Sequence, residues 1–435
     1  MSVLLRDLRK SHNLFSAWKH VKRSAQASAS PEVRGDAAVF AHRDHSELRS
    51  IYGKLNSGKY SFSPVRGVLK DKNAREALGK SPRPLVVGRV SDRVVQRALL
   101  QVLQPRRILD PKAKFPKYEM VFDERLGKIN HVSRSKIGIG GLLRPYGGVN
   151  VGVRSAMQFM ANGRQVYFQS DIKAFFTKIP VPRVKEFIEA ETRDHELACF
   201  FEEAVQVELS NPSQLAGYTE IFPKGGLGVP QGSSLSAFAG NILLFEFDKQ
   251  LSLMGVDVIR YIDDLFILAD NYRSLDAAVR YAQETLSEMG LSLYEDESKC
   301  AKGKCADGFL FLGCDIQPNK CVPSSRSVKN LLADVDNTLS SAKADIGCFL
   351  SKRANLAADS TQSGAIARVG RQVYGWERAF KFCNQIDQFR RVDEEIAKKI
   401  HDFLGWVSRK TTGLTPKDRM VVWGVPSAAD LHIAG

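Results

Sequence analysis

The order of patterns along the chain predicts an α+β fold followed by an all-helical region. Between about 165 and 316 the apolar periodicity changes in the order strand, helix, helix, hairpin, helix, strand. Beyond about 325 the spacing is helical throughout, with Leu331, Leu332, Val335 and Leu339 as its first apolar positions. The third observation is a pair of adjacent carboxylates, Asp263 and Asp264, inside the apolar stretch VDVIRYIDDLFILAD. Within a strand, two unpaired carboxylates would each face a large desolvation penalty. They are expected at the turn of a hairpin, facing solvent or bound cations.

Residues 1 to about 60 read as helical, with Leu14, Trp18 and Val21 on one face and SAQASASPEVRGD as a flexible link. SPVRGVLKDKNAREALGKSPRPLVVGRV has strand-like ends around a basic turn, and SDRVVQRALLQVL reads as a helix capped by Ser91. From 105 to 150 the chain is rich in Gly, Lys, Arg and Pro without clear periodicity, and an extended basic surface is expected. QVYFQSD (165–171) is a strand ending on Asp171, and the helix VPRVKEFIEAE follows Pro180. GGLGVPQGSSLSAFAGNILLFEFDKQL is a glycine-rich turn running into one long helix. The hairpin comes next, built from Val256, Val258 and Tyr261 on one side and Leu265, Phe266, Ile267 and Leu268 on the other. A helix near 274–289 and a strand FLFLGCDI complete the series.

Composition narrows the function. The 435 residues suffice for two or three cores. The formal charge of +15, from 63 Lys and Arg against 48 Asp and Glu, suits a polyanionic partner such as nucleic acid. No apolar run reaches the ~18 residues of a membrane span, and the N-terminus lacks a signal-peptide core, so a cytoplasmic protein is expected. The seven cysteines show no disulfide-scaffold pattern. Cys300, Cys305, Cys314 and Cys321 lie close in sequence but contain no CxxC pair, and no zinc site is expected of them. His42 and His45 read as surface residues.

Phosphoryl transfer onto a growing nucleic-acid strand uses two divalent ions held by carboxylates, and magnesium takes hard oxygen ligands. Asp171 and Asp263 are the candidates. Each ends a strand, and their separation in sequence lets two strands lie side by side and present both at one edge. Asp264 would support the site electrostatically or as a less direct ligand. Between them runs Gly225-Gly226-Leu227-Gly228-Val229-Pro230-Gln231-Gly232-Ser233, whose glycines allow close backbone approach to a ligand.

Taken together, these motifs resemble the bacterial reverse transcriptases, a lineage that includes group II intron, retron and defence-associated enzymes. NLFSAWKHVKRS and LRSIYGKLNSGKYSFSPVRGV are similar to the N-terminal extension of non-retroviral members. RPLVVGRVSDRVVQRALLQVLQP resembles the first fingers motif and, more loosely, RPYGGVNVGVRSAM the second. SDIKAFF resembles the first palm motif, GVPQGSSLS with NILLFEFD the third, and RYIDD the catalytic hairpin. GLSLYEDESKC and FLFLGCDI resemble the motifs that close the palm. The resemblance covers residues 10 to about 330.

It implies a right-hand polymerase fold: an N-terminal helical extension (1–60), fingers (61–160), palm (161–322, with finger elements near 181–224), and a helical thumb with C-terminal extension (323–435). It implies an RNA-directed DNA polymerase using two Mg2+ ions, for which Mn2+ can substitute. Asp171, Asp263, Asp264 and the Ile172 carbonyl would be the metal ligands. Phe176 would be the steric gate against a ribose 2′ hydroxyl, with Phe175 beside it at the nucleotide or in the core. Gln231 and Gly232 would contact the incoming nucleotide, and Lys80 and Arg83 would clamp its triphosphate. Arg93 would anchor the fingers fold or a phosphate, and Lys299 would stand near the pyrophosphate. Implied partners are an RNA template, deoxynucleotides and the DNA product, without a membrane; oligomerisation is not readable.

The chain departs from the group II pattern at Thr177, where an aspartate commonly follows the gate aromatic. No Cys/His-rich nuclease module follows the thumb, and no Val-Thr-Gly signature of a retron thumb is found. GWERAFKFCNQIDQFRRVDEEI is similar to the helical C-termini of bacterial enzymes outside the intron class. The resemblance therefore points to a defence-associated, antiphage enzyme paired with a structured noncoding RNA. The alternatives are an intron-type or retron enzyme or maturase, an untemplated or protein-primed DNA polymerase, and an RNA-dependent RNA polymerase.

Overall fold

Four helices open the chain, as the apolar spacing requires: α1 (Val3–Leu8), α2 (Ser11–Gln26), α3 (Pro31–His42) and α4 (Asp44–Asn56). The structure, a computed structural model, describes residues 2–428 and 432, apart from 78, 80, 110–117, 216, 297–299 and 353–354. The segment expected as a flexible link is a tight helical corner. Ser30 accepts a hydrogen bond from the Val33 N–H and Pro31 occupies the first turn, so helix restarts at once. Trp18 is the anchor of this region. It is 1% exposed, packs at a tilt with its ring centroid 4.5 Å from that of Phe40, and donates its indole N–H to Asp44.

A small antiparallel pair of strands follows. β1 (Arg66–Lys70) and β2 (Arg83–Val87) pair antiparallel around the short helix α5 (Lys72–Glu76). α6 (Val90–Val102) starts one residue before the expected cap, buries Val94, Val95, Ala98 and Leu99, and packs mainly on α2. Asp92, in the first turn of α6, is buried and accepts from the Tyr60 hydroxyl and the Ser63 N–H. The unperiodic region contains β3 (Arg106–Leu109), β4 (Tyr118–Val121), α7 (Ile129–Val132) and α8 (Val149–Ala161).

The central sheet has four strands in the order β6-β7-β5-β8: β5 (Val166–Asp171), β6 (Asp257–Tyr261), β7 (Asp264–Ala269) and β8 (Cys300–Lys304). Between β5 and β6 come α9 (Phe175–Lys178), α10 (Val181–Thr192), α11 (His195–Val205), α12 (Ser236–Leu243) and α13 (Phe245–Ser252). The expected long helix after the glycine-rich loop is in fact two, broken at Leu244. β7 is buried on both faces from Leu265 to Ala269, and α14 (Tyr272–Glu288) packs on β5 and β7. A strand in that position needs an unbroken apolar run, which LFILA supplies.

FLFLGCDI is a hairpin rather than one strand. β9 (Phe309–Phe311) and β10 (Cys314–Gln317) join through Leu312 and Gly313, both left-handed, and β11 (Lys320–Pro323) extends the sheet. Two consecutive positive φ angles make the tight turn that matches strand twist. The helices α15 (Ser325–Lys352), α16 (Gln362–Phe380), α17 (Ile386–Thr411) and α18 (Pro416–Trp423) follow. Val335, Ile346, Val369, Val392 and Phe403 form their core. The chain divides into two compact units: residues 1–159 with 163–303, and residues 160–162 with 304–435. The β9–β11 sheet belongs to the second, with the C-terminal helices. The α+β class is as the sequence predicts.

Candidate active site

The acidic hairpin is as tight as a hairpin can be. Tyr261 pairs directly with Asp264, leaving Ile262 and Asp263 as a two-residue turn. Ile262 has φ 65°, a left-handed conformation that a β-branched residue adopts only under constraint. The constraint is visible. The Arg260 guanidinium, buried at 0% exposure, donates from Nη1 to the Ile262 carbonyl at 2.8 Å. The same guanidinium grips Asp248 bidentately, Nε to Oδ1 at 2.8 Å and Nη2 to Oδ2 at 2.6 Å, and reaches Asn241 Oδ1 at 3.2 Å. Burial pushes the Asp248 carboxyl up while Arg260 draws it down. Such a pair costs about 3–5 kcal/mol to break from one side, because the remaining charge is stranded.

A second strap lies along β6. The Arg260 N–H donates to the Ile137 carbonyl at 2.8 Å, and Ile139 N–H returns to the Arg260 carbonyl at 2.9 Å. Two glycines make this approach possible. A Cβ on Gly138 would stand 2.4 Å from Arg260 Nη2, and one on Gly140 2.4 Å from the Ile262 nitrogen. Asn241 Nδ2 closes the arrangement on the Gly140 carbonyl at 2.7 Å. The KIGIGG segment, which lacks periodicity, is thus the wall behind the acidic turn.

Asp171 ends β5 directly opposite Asp264 on β7, so the two carboxylates share one face at one sheet edge. Asp263 stands in the turn beside them, and its carbonyl accepts the Ile172 N–H at 2.8 Å. The sequence expectation makes Asp263 the strand-end partner of Asp171. The register gives that place to Asp264, because the turn consumes Asp263. The Asp264 carboxylate receives the Gln169 amide at 3.1 and 3.2 Å. Burial first, then the neighbouring Asp171 charge, lifts it to about 7, with Asp263 adding to the lift. Asp171 is further fixed through its carbonyl, which accepts from Tyr294 N–H at 3.0 Å.

The donor set is all oxygen, with like charges converging on one edge, and that chemistry fits a hard divalent cation such as Mg2+. The Ile172 side chain is buried at 1% exposure, with its backbone at the site.

The loop after α11 is bound to α9 and β2. Gly228 and Val229 N–H groups donate to the Ile179 and Phe176 carbonyls at 2.8 and 2.7 Å, tying the loop to α9. The Gln231 carbonyl accepts the Val86 N–H at 3.0 Å, which fastens the loop to β2. Gly232, at φ 117°, leaves 3.0 Å between a Cβ and the Val86 carbonyl. Arg93, half-buried, lines the pocket formed here with Gln231 and Gly232. Burial holds its guanidinium below the ordinary arginine range, with Asp36 opposing. Arg83 opens β2 and is exposed.

Phe175 and Phe176 separate cleanly. Phe175 is 2% exposed and packed against Gly240, so it is a core residue and not available to a nucleotide. Phe176 is half-exposed, its ring 5.6 Å from that of Phe175. Lys80 and Lys299 lie outside the described residues. The sequence reading does not single out Gln169, Arg260, Asp248, Asn241, Gly138 or Gly140. The one signal among them is the arginine in the apolar run VDVIRY, a charge that needs a buried partner to neutralise it.

Comparison with known proteins places the chain. Protein YkfC of Escherichia coli (strain K12) is 22% identical over 326 residues, 67% of this chain and 76% of its own length. Among solved structures, a chain of a partial Cas6-RT-Cas1–Cas2 complex is 21% identical, covering 66% of this chain, with a TM-score of 0.34. This chain spans 42% of that protein. Apo telomerase from Candida tropicalis is 11% identical over 84% of this chain and 69% of its own, with a TM-score of 0.42. The family model for reverse transcriptase (RNA-dependent DNA polymerase) matches residues 70–316, more than half of the sequence. The chain belongs to the reverse transcriptase family, the RNA-directed DNA polymerases.

Proposed function

We propose that this protein copies an RNA template into DNA by two-metal nucleotidyl transfer at Asp171, Asp263 and Asp264. The observation that carries the reading is the facing of Asp171 and Asp264 across β5 and β7, with Asp263 in the turn beside them. Divalent ions held there would activate the primer 3′ oxygen and stabilise the leaving pyrophosphate. The chain's own contribution is placement. Arg260 holds the turn, Gln169 orients the Asp264 carboxylate, and the Ile172–Asp263 backbone bond sets the spacing between strands. Gln231 and Gly232 would seat the incoming nucleotide against β2, and Arg83, with Lys80, would receive its triphosphate. Half-exposed Phe176 would exclude the 2′ hydroxyl.

Primer extension on an RNA template tests this directly. Deoxynucleotides should be incorporated and Asp263→Ala should abolish incorporation; preference for ribonucleotides would overturn the reading.

We further propose that the template is a cognate structured noncoding RNA and that the setting is antiphage defence. The net charge of +15 and the C-terminal helical similarity to bacterial enzymes outside the intron class support this. Sequencing RNA and DNA that co-purify with wild type and with Asp263→Ala tests it. One enriched noncoding RNA, with complementary DNA only in wild type, is the expected result. Intron RNA in its place, or phage plating indifferent to Asp263→Ala, would overturn the defence assignment.

A further inference from the structure

Two cysteines close in sequence and a third far from them are brought together in the second unit. Cys314 opens β10 and Cys321 lies on β11; because Ile316 pairs with Cys321, both cysteines occupy one face of the sheet. Cys383 arrives from the loop between α16 and α17, 62 residues beyond Cys321. Its sulfur is 3.6 Å from Cys321 Sγ and 3.9 Å from Cys314 Sγ, and all three lie within 4.8 Å of one another. Cys314 and Cys321 are fully buried and Cys383 is half-buried.

The loop carrying Cys383 is held in place by a dedicated residue. Asn384 N–H donates to the Cys321 carbonyl at 3.1 Å, and its side-chain oxygen accepts the Cys321 N–H at 2.8 Å. Its amide nitrogen reaches the Asn319 carbonyl at 2.9 Å. Gln388, at the start of α17, adds a bond to the Pro323 carbonyl at 2.8 Å. Asn384 therefore fastens to β11 through both backbone polar groups of Cys321, and its neighbour Cys383 is delivered onto the other two sulfurs. Apolar packing alone would not require this reciprocal clamp.

We propose that Cys314, Cys321 and Cys383 form a zinc site that staples the α16–α17 loop to the β9–β11 sheet. Zinc–thiolate bonds of about 2.3 Å at tetrahedral angles put sulfurs about 3.8 Å apart, which the two shorter separations match. Among the described residues no histidine, carboxylate or fourth cysteine joins the group, leaving the fourth position to water or a backbone oxygen. Thiolates are the ligating species, so binding releases the thiol protons to solvent. The site is chemically distinct from the polymerase edge, since soft sulfur selects zinc where hard oxygen selects magnesium.

The test uses the full chain, purified without chelator and freed of any affinity tag. After zinc reconstitution and gel filtration, elemental analysis should find about one zinc per chain. Cys321→Ser and Cys383→Ser should each lower that at least about tenfold, while Cys348→Ser and Asp263→Ala keep it. Cobalt in place of zinc should give thiolate-to-metal charge-transfer absorption that Cys383→Ser removes. Should the serine variants fail to fold, alkylation of the wild-type protein decides. A chelator should speed modification of Cys321 and Cys383 but not of Cys348. Zinc retained in both serine variants, no cobalt–thiolate band, chelator-independent alkylation, or a disulfide among the three in protein kept free of oxygen would each overturn the proposal.

Discussion

The acidic cluster and the cysteine cluster of this molecule are built by opposite routes. The carboxylates of the first unit come from one tight hairpin and the strand beside it, so Asp263 and Asp264 are neighbours in sequence and Asp171 pairs with Asp264. The thiols of the second unit come from two strands and a distant loop, joined only by the folding of α15 and α16 between them. The first cluster is charged, stands at a sheet edge and pushes its members apart. The second is neutral when protonated, largely buried and closely packed. A site that must bind and release a charged substrate needs partial access to water and a preorganised field. A site that only ties chain segments together does not. The contrast teaches that a site's sequence signature reflects how local its construction is.

The largest expected effect separates the two clusters outright. Asp263→Ala should lower primer extension on an RNA template by at least about a thousand-fold, about 4 kcal/mol in barrier, with the cysteine cluster undisturbed. Loss of extension together with loss of unit-two stability in urea would break the separation.

Next is the buried support of the hairpin. Arg260→Met strands the Asp248 carboxylate and should cost about 3–5 kcal/mol in urea unfolding. Adding Asp248→Leu should restore most of that stability, yet extension should stay depressed, because nothing then holds the Ile262 carbonyl. If the double variant regains full activity, Arg260 serves only the core.

The paired phenylalanines sharpen what is core and what is site. Phe175→Ala should destabilise by about 3–5 kcal/mol. Phe176→Ala should cost less stability and instead raise ribonucleotide relative to deoxynucleotide incorporation by about 10–200-fold. Equal discrimination in both variants would remove Phe176 as the gate.

The smallest effect tests the glycine wall. Gly140→Ala forces a methyl against the Ile262 backbone and should cost about 1–3 kcal/mol, with a fall in extension rate at unchanged nucleotide KM. Gly35→Ala, inside α3 with nothing within 4 Å of the added carbon, is the control: extension should be unchanged and stability should rise by about 0.5–1 kcal/mol.

Much of the fold and of the acidic site is legible in the sequence, and for local reasons. Short apolar runs locate β5, β6 and β7, and a period of 3.6 locates α6, α10 and α14. The hairpin is legible because adjacent carboxylates cannot lie inside an apolar strand. Elsewhere the deciding partner or backbone angle leaves no local trace. FLFLGCDI is one apolar run in sequence, and the left-handed pair Leu312–Gly313 folds it back on itself. Phe175 and Phe176 are chemically equivalent in sequence, and only the packing of Gly240 against one ring assigns the core.

The sequence by itself determined the chemistry of this protein. Asp171, the glycine-rich loop and the Tyr-Ile-Asp-Asp turn specify carboxylates at strand ends, because side-chain direction and desolvation follow from a few neighbouring residues. Tertiary structure alone decided which buried side chains meet. Arg260 finds Asp248 and Asn241, Gly138 and Gly140 admit the strap behind the turn, and Cys383 reaches Cys314 and Cys321. Buried polar groups and thiols take their meaning from partners, and chain folding chooses those partners across distances no local pattern records.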